Sequence, residues 1–490
     1  MYIFKKKINL KLLFICFSLL WVENSIYSQD FSKQYEEFKK ESHQNYSSFR
    51  DECNQKYADF LRTAWDWYEG KAPLPIPKEK NPVPPRPYEP IDENPIAVEP
   101  TPVNPVEPKP QPKPISPIRE NPNPEEVAFP VKFFGITSEI RLPKVARTKL
   151  RDTSPNSLGN AWEALCTEEM NNTIRDCLET RIRYNLCDWA YLQFLQSLAS
   201  QYCSDANTAT LLAAFLYCQS GYQMRLGEDN GKLVMLIGSD HYIYDMLYYI
   251  IEGAAFYPLG ETSNQLRICN ANFESETPLS LYINVEQLLG EGLSEARSIK
   301  SKRFANVEAN SKVPVELIKF YNDYPTSVAD NNPLTRWAMY ANTPLAEKTK
   351  AVLYPALKKS IENCTKLEAA NRLLNWVQTG FVYEYDDKVW GHDRAFFAEE
   401  TLYYPYADCE DRSILFSRLV RDLLGLEVAL IYYPGHLATA VKFDSDVCGD
   451  AMLINGEKYI VCDPTYIGAP VGAQMPDLEY DKTEAILLGL

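Results

Sequence analysis

The chain has 490 residues, more than one hydrophobic core usually accommodates, so we expect two or three folded units joined by linkers. The formal net charge is −16, and the 50 lysine and arginine residues are scattered along the sequence rather than clustered. A scattered basic content within a net acidic chain excludes nucleic acid as the expected partner.

The N-terminus has the pattern of a secretory signal. Lys5–Lys7 precede an apolar run from Leu12 to Val22, and small and polar residues follow up to Ser28. The apolar run is too short for a membrane-spanning helix, which needs about 20 residues, and this order of features is typical of a signal peptide. We predict a signal peptide over 1–28, export to the periplasm, the cell envelope or the medium, and no membrane-spanning segment.

Residues 29–70 carry a stripe of aromatic side chains. Phe31, Tyr35, Phe38 and Tyr57 belong to a series of apolar residues that mostly recur three or four apart. This spacing predicts one long amphipathic helix. Because the stripe is rich in Tyr and Phe rather than Leu and Ile, docking on another part of the chain and self-association as a two-stranded coiled coil fit it equally.

A proline-rich segment over 71–126 follows the helix. Between Pro73 and Pro124 the sequence contains 19 of its 34 prolines and no glycine. Proline fixes φ and removes a backbone donor, so we predict an extended spacer that forms no domain of its own. Recognition of this segment by a partner protein is the alternative.

From Val127 onward the composition is that of a globular protein. Strands over 129–142, helices between 161 and 220 and a hairpin around Asp229-Asn230-Gly231 predict an α+β unit over 127–270. A second unit over 271–490 begins with helices around 314–322, 346–361 and 367–381. A helix over 409–424 and strands over 426–433, 437–443, 451–454 and 458–462 complete it, and Asn455-Gly456 marks its clearest hairpin.

Cys409 begins the predicted helix 409–424. The N-terminus of a helix carries partial positive charge and free N–H groups, which lower the pKa of a thiol and can hold an oxyanion. Thiol acyl-transfer chemistry requires both properties. The acidic neighbours Asp408, Glu410 and Asp411 act in the opposite sense, because their charge opposes formation of the thiolate.

A histidine and an aspartate follow on the strands. His436 opens the strand 437–443, and Asp463 directly follows the strand 458–462. The start of one strand and the end of a nearby antiparallel strand can be neighbours. We therefore predict that Cys409 attacks, that His436 moves the proton, and that Asp463 orients and stabilises the imidazolium.

These residues resemble the transglutaminase-like superfamily, whose core is related to papain-like cysteine peptidases. The matching motifs are Asp408-Cys409-Glu410-Asp411-Arg412-Ser413, Gly435-His436-Leu437-Ala438-Thr439 and Asp463-Pro464-Thr465-Tyr466, in the family's order, within residues 367–466. The resemblance implies a core of helices packed on an antiparallel sheet and a thioester mechanism. It also implies a second oxyanion donor upstream of the cysteine, for which Tyr383 and Gln378 are the candidates.

The resemblance implies an enzyme that acts on amide bonds of a protein or peptide substrate. Hydrolysis, deamidation and transamidation share the thioester step, and the sequence does not choose among them. We expect a peptidase or amidase of the cell envelope. The alternative is a catalytically silent binding or scaffolding protein that retains the fold. No cofactor or metal is expected, since the four histidines include no HExxH motif and the cysteines no CxxC motif.

The first unit shows a similar order of elements. A helix from Ala206 and strands lead to His241, and a hairpin over 248–257 follows. In a degenerate copy of the second unit, Ala206 would stand at the position of the cysteine and Gly260 at that of the aspartate. A copy of this kind and an unrelated helix with hairpins both fit the pattern.

Overall fold

The computed structural model describes residues 50–489 except 79–81, 91–93, 106–111, 113, 115–117, 123–124, 148 and 274. The predicted signal peptide and the first part of the N-terminal helix lie outside the described residues. No helix among those described combines the length and apolar character needed to cross a bilayer. The 11 cysteines in the described part of the chain are all free thiols.

The fold is mixed α+β, as predicted. Its helices are α1 over 50–63, α2 (Pro155–Leu165), α3 (Asn171–Arg183), α4 (Asp188–Tyr202), α5 (Ala206–Gln219), α6 (Val315–Asn322), α7 (Thr335–Asn342), α8 (Glu347–Ser360), α9 (Lys366–Gly380), α10 (Asp386–Val389), α11 (Ala398–Tyr403) and α12 (Cys409–Leu424). Short 3₁₀ helices cover Lys144–Arg147, Glu168–Met170 and Tyr480–Lys482.

The strands form two large sheets and several two-stranded pairs. They are β1 (Trp65–Glu69), β2 (Arg86–Pro87), β3 (Ala97–Val98), β4 (Thr101–Val103), β5 (Glu126–Phe133), β6 (Ile136–Pro143), β7 (Met224–Asp229), β8 (Lys232–Gly238), β9 (Tyr242–Ile243), β10 (Tyr249–Ile251), β11 (Ala254–Pro258), β12 (Gln265–Cys269), β13 (Arg297–Lys300), β14 (Glu308–Ser311), β15 (Ser327–Val328), β16 (Glu427–Tyr433), β17 (His436–Lys442), β18 (Ala451–Ile454), β19 (Glu457–Cys462), β20 (Tyr466–Ile467) and β21 (Glu484–Leu487).

The first sheet belongs to the N-terminal unit and has the order β1-β12-β7-β8-β11-β10. All its neighbouring strands are antiparallel. Helix α5 packs against β7 and β8, and α4 packs on α5. The helix-covered face of this sheet belongs to an apolar core that continues into the second unit, and the other face forms a smaller separate cluster with residues such as Leu236 and Phe256.

The second sheet has the order β3-β18-β19-β17-β16-β21-β4. Its five central strands are antiparallel, whereas β3 and β4 join its two edges in parallel. Helix α12 packs across β16 and β17, and α9 packs on α12. The predicted hairpin at Asn455-Gly456 is confirmed, with both residues at positive φ as a two-residue turn requires.

The two sheets share one topology. The order β12-β7-β8-β11-β10 of the first corresponds to β21-β16-β17-β19-β18 of the second, strand for strand along the chain. Every pairing in both series is antiparallel. In each unit a long helix, α5 or α12, directly precedes the first strand of the series.

The described part of the N-terminal helix docks on the first unit. Tyr57 is buried, and its ring lies 4.6 Å, between centroids, from each of the rings of Trp162 and Phe273. The predicted helical end is wrong, because α1 stops at residue 63 and Trp65–Glu69 form an edge strand that pairs with β12. Aromatic side chains favour a pleated, half-buried strand when an open sheet edge is available.

The proline segment, residues 71–126, is not a free spacer where the structure describes it. Its strands β2, β3 and β4 pair with β20, β18 and β21 of the second unit. The backbone N–H of Val83 also donates to the carbonyl of Gly435 at 2.8 Å. The prediction of a solvated spacer is therefore wrong for these residues, because the non-proline amides between the prolines can still bond to a sheet edge.

Candidate active site

Helix α12 begins at Cys409 because its first turn is fixed by its own side chains. The Asp411 carboxylate accepts hydrogen bonds from the backbone N–H of Asp408 at 3.2 Å and of Phe396 at 2.9 Å. These bonds close the helix start and tie it to the loop before α11. The other end of the helix stops at Gly425, whose φ of +61° is the left-handed cap that favours glycine.

Two further residues of the same motif hold the helix against its surroundings. The buried Arg412 guanidinium donates to the carbonyls of Ala407, Gln378 and Phe381 at 3.0–3.2 Å. The Ser413 hydroxyl donates to the carbonyl of Leu437 at 2.9 Å, next to His436 in the chain. The helix start and the start of β17 are thereby joined directly.

The Cys409 thiol is buried, with 8% of the residue exposed. Its Sγ donates to Oε2 of Glu410 at 3.1 Å. Burial raises the pKa of the thiol well above its ordinary value, and the charges of Glu410 and Asp408 raise it further, while a hydrogen bond from the Leu437 backbone lowers it. In the resting protein the thiol is therefore protonated near neutral pH.

His436 and Asp463 form a buried pair. His436 Nε2 lies 2.9 Å from Oδ2 of Asp463, and each residue is about 1% exposed. Oδ1 of the same carboxylate accepts from the backbone N–H of Thr465 at 2.8 Å and of Tyr466 at 3.1 Å. The carboxylate is thus held by the backbone and in turn holds the imidazole ring.

The second ring nitrogen of His436, Nδ1, has no hydrogen-bond partner among the described residues, although it is buried. Cys409 and His436 line the same cavity, which has a volume of about 320 Å³. The predicted Cys409, His436 and Asp463 therefore lie at one site, with Nδ1 as the ring atom left to exchange a proton. His392, by contrast, lies in an exposed loop, where its Nδ1 is 3.1 Å from the carbonyl of Trp390.

The two candidate oxyanion donors have different environments. Tyr383 lines the cavity beside Cys409, and burial together with the nearby Cys409 raises its pKa. Gln378 does not fit the prediction, because its Nε2 donates to the carbonyls of Asp463, Tyr466 and Ala469 at 2.8–3.1 Å. Its Oε1 accepts from the N–H of Gly468 at 3.1 Å. Gln378 holds the loop that carries Asp463, and the sequence motif gave no sign of this task.

Acidic side chains crowd the cavity. Ligand atoms of Asp386, Asp393 and Glu410 lie within 4.8 Å of one another, as do those of Asp408, Cys409 and Glu410. Either set has the oxygen atoms that a divalent cation accepts. Burial and the charge of Glu410 raise the pKa of Asp386 to about 8. These carboxylates are therefore poorly compensated in the structure as it stands.

The proline segment completes one wall of the site. Lys78 and Pro82 line the cavity together with Cys409 and His436. The Lys78 ammonium pairs with the carboxylate of Asp387 at the same cavity. The segment that was predicted to be a linker is thus part of the site.

The first unit has different residues at the positions that correspond to the site. Ala206 is the first residue of α5, as Cys409 is of α12. Lys232 opens the second strand of its hairpin, opposite Asp229, as His436 does opposite Tyr433. The histidine of the predicted repeat, His241, therefore lies elsewhere, beyond the end of β8.

The aspartate position is occupied by glycine, as the repeat hypothesis suggested. Asp463 directly follows Cys462. In the sheet register Cys462 lies opposite Thr439, which is the third residue after His436. In the first unit Leu259 donates its N–H to the carbonyl of Met235, the third residue after Lys232, and Gly260 follows directly. A cavity of about 240 Å³ lies beside Ala206 and Leu259.

Comparisons of the chain with models of protein families, with curated proteins and with solved structures gave no match.

Proposed function

We propose that this protein is an exported, transglutaminase-like cysteine enzyme that acts on amide bonds through a thioester, as a peptidase or amidase of the cell envelope. The observation that carries the proposal is the His436–Asp463 hydrogen bond at a cavity that His436 and Cys409 both line, with the second imidazole nitrogen buried and unpartnered among the described residues. The sequence motifs around these three residues support the same family.

The chemistry follows from the arrangement. Because the thiol is protonated at rest, His436 Nδ1 takes the proton as Sγ of Cys409 bonds to the carbonyl carbon. The C–N bond then breaks, and the leaving amine receives that proton from the imidazolium, which Asp463 stabilises. Water attacks the resulting thioester with His436 as base, which releases the acid and restores the thiol.

The backbone supplies one side of the oxyanion site. The N–H groups of Cys409 and Glu410 belong to the first turn of α12, before the helix can provide their acceptors. Tyr383 is the candidate for the second donor. An amine in place of water gives transamidation, and loss of ammonia from a glutamine side chain gives deamidation.

A second candidate function is a silent binding protein that keeps this fold. Two observations favour it: the Cys409 thiol donates to Glu410 with a strongly raised pKa, and the proline segment lines the cavity. Under this alternative Cys409 and His436 do not exchange a proton.

We infer that the first unit is a non-catalytic copy of the second. The shared strand order and the residues Ala206, Lys232 and Gly260 at the three site positions support this inference. Catalysis would then belong to the second unit alone.

Alkylation with the neutral reagent iodoacetamide separates the two functions. Peptide mapping by mass spectrometry follows Cys409 against the exposed Cys448 in the same chain. An enzyme should label Cys409 at least several-fold more slowly in His436→Ala than in the wild type, because the base is lost, with Cys448 unchanged. Equal rates of Cys409 labelling in the wild type and in His436→Ala would support the catalytically silent binding protein.

A further inference from the structure

Five carboxylic acids line the cavity beside Cys409. The acidic residues that line it are Asp386, Asp387, Asp393, Asp408 and Glu410. Among the described residues Lys78 is the one lysine or arginine that lines it. The cavity therefore has an excess of acidic over basic side chains.

The carboxylates are only partly compensated by the protein. Asp386 accepts from the backbone N–H of Arg394 at 2.6 Å, and Asp393 lies 3.5 Å from the Arg336 guanidinium. The nearby Arg412 guanidinium gives its hydrogen bonds to backbone carbonyls. Asp408 is 7% exposed, and its Oδ1 has no partner among the described residues.

A buried, unpartnered carboxylate oxygen costs free energy unless a donor reaches it. The raised pKa of Asp386, which burial and Glu410 cause, reflects the same deficit of positive charge. A cation that enters the cavity would offset this cost. Tyr383 and Tyr385 also line the cavity, and a cation of the chain already lies over each ring, Arg412 at 5.3 Å and Lys388 at 5.5 Å.

The chain itself places a cation at this cavity. Lys78 of the proline segment lines it, and its ammonium pairs with Asp387. The backbone just beyond is held to the site by the bond from Val83 to Gly435. The chain thus presents one lysine to this cavity, on a side chain that is 65% exposed and paired with Asp387.

We propose that the cavity selects a basic peptide, with a lysine or arginine side chain beside the amide that Cys409 attacks. The proposal deepens the proposed function and rests on it. A bound cation also weakens the repulsion that Glu410 and Asp408 exert on the thiolate, so the correct substrate promotes its own reaction. The proline segment, through Lys78, occupies part of the same site.

Charged thiol reagents test the proposal on the full chain without knowledge of the substrate. The reagents are 2-aminoethyl methanethiosulfonate, which is cationic, its anionic sulfonatoethyl analogue and the neutral methyl compound, used at pH 8 with EDTA. The rate ratio of cationic to anionic reagent at Cys409 is independent of the thiolate fraction, because both reagents meet the same thiol. We divide this ratio by the same ratio measured with free 2-mercaptoethanol, which corrects for the different intrinsic reactivities of the two reagents.

We expect a normalised ratio of at least about tenfold that falls toward one as ionic strength rises. Asp386→Asn and Asp393→Asn should each lower the ratio several-fold, whereas Glu362→Gln, at an exposed position outside the cavity, should not. Lys78→Gln should raise it, because the internal competitor is removed, and Lys78 is exposed enough for the variant to fold normally.

A normalised ratio within twofold of one, or a high ratio that the aspartate variants leave unchanged, would overturn the proposal. Loss of the selectivity in micromolar calcium would also overturn it, by assigning the carboxylates to an inorganic cation. The proposed function fails separately, if the neutral reagent labels Cys409 equally fast in the wild type and in His436→Ala.

Discussion

The Cys409 thiol is subject to opposing electrostatic influences. The helix N-terminus favours the thiolate, while burial and the carboxylates of Glu410 and Asp408 favour the thiol and dominate its pKa. The Cys409 thiol therefore keeps its proton at rest. The proposed mechanism therefore requires proton transfer from Cys409 to His436 during attack.

The charge of Glu410 can be removed with little change in shape. Glu410→Gln should lower the pKa of Cys409 and speed its alkylation by iodoacetamide at pH 8, about tenfold for each pKa unit. In the wild type the rate should still increase with pH above 9. Peptide-resolved labelling measures both effects, with Glu362→Gln as the control. An unchanged rate in Glu410→Gln would show that Glu410 does not restrain the thiol.

Asp463 should set the tautomer of His436. In Asp463→Asn the side-chain oxygen keeps the bonds from Thr465 and Tyr466, so the amide NH₂ faces His436 Nε2. Nε2 must then accept, which places the ring proton on Nδ1, where it cannot take the proton of Cys409. Thioester formation should fall by roughly two to four orders of magnitude.

The matched control is Asp477→Asn, at an exposed residue whose φ of +65° asparagine tolerates. Stopped-flow acylation with an activated ester compares the two variants. Wild-type rates in Asp463→Asn would remove Asp463 from the mechanism and leave a cysteine–histidine pair.

For individual residues, the sequence could indicate those proposed to react but not those that position them. Cys409, His436 and Asp463 each stand at the end of a predictable element. Gln378 was a candidate oxyanion donor on the sequence alone. The residues around it give no sign that its side chain donates to three backbone carbonyls 85 to 91 positions later.

Among the elements, the proline segment is the one whose observed structure differs most from its predicted structure. Helix α12 and the hairpin β18–β19 follow from local signals, namely apolar periodicity and Asn455-Gly456. The strands β2, β3 and β4 depend on edges formed by residues more than 350 positions away. Composition alone predicts an unpaired chain there, since a pattern of prolines contains no information on a distant sheet edge.

The bond from Val83 to Gly435 should hold the proline segment at the site. Val83→Pro removes the donor, whereas Val83→Ala keeps it. Loss of one such bond costs about 1 kcal/mol, so trypsin cleavage after Lys78 should be about fivefold faster in Val83→Pro than in Val83→Ala. Timed digestion with mass spectrometry measures the rates. Identical cleavage in the two variants would mean that this bond does not hold the segment.

At the scale of the whole molecule, the structure contains the same sheet order twice, and the sequence suggested this repeat only in outline. The positions of Ala206 and Gly260 could be anticipated from their distance to a helix start and a hairpin glycine. Lys232 could not, because only the strand register shows that it, rather than His241, corresponds to His436.

Buried acids in the second unit should make stability depend on pH. Burial raises the pKa of Glu399 from 4.5 to about 7, although the N–H of Ala346 donates to it at 2.6 Å. Because the folded state binds this proton more tightly than the unfolded state, Glu399 lowers stability as pH rises from about 4.5 to about 7.

Glu399→Gln keeps an oxygen for Ala346 and cannot ionise. Its free energy of unfolding should therefore fall less between pH 4.5 and pH 8 than that of the wild type, by at least about 1 kcal/mol. Urea unfolding at the two pH values measures the difference, with Glu362→Gln as the control. The same pH dependence in Glu399→Gln and the wild type would mean that folding does not raise the pKa of Glu399.

The central claim is that Cys409 forms a thioester with an amide substrate. The most direct test incubates the full chain with a cell-envelope extract and quenches the mixture with acid. Mass spectrometry of the peptide that contains Cys409 then detects any adduct. We predict a hydroxylamine-sensitive acyl adduct on Cys409 in the wild type and in His392→Ala, but not in His436→Ala or Cys409→Ala. No adduct in the wild type, or an equal adduct in His436→Ala, would contradict the claim.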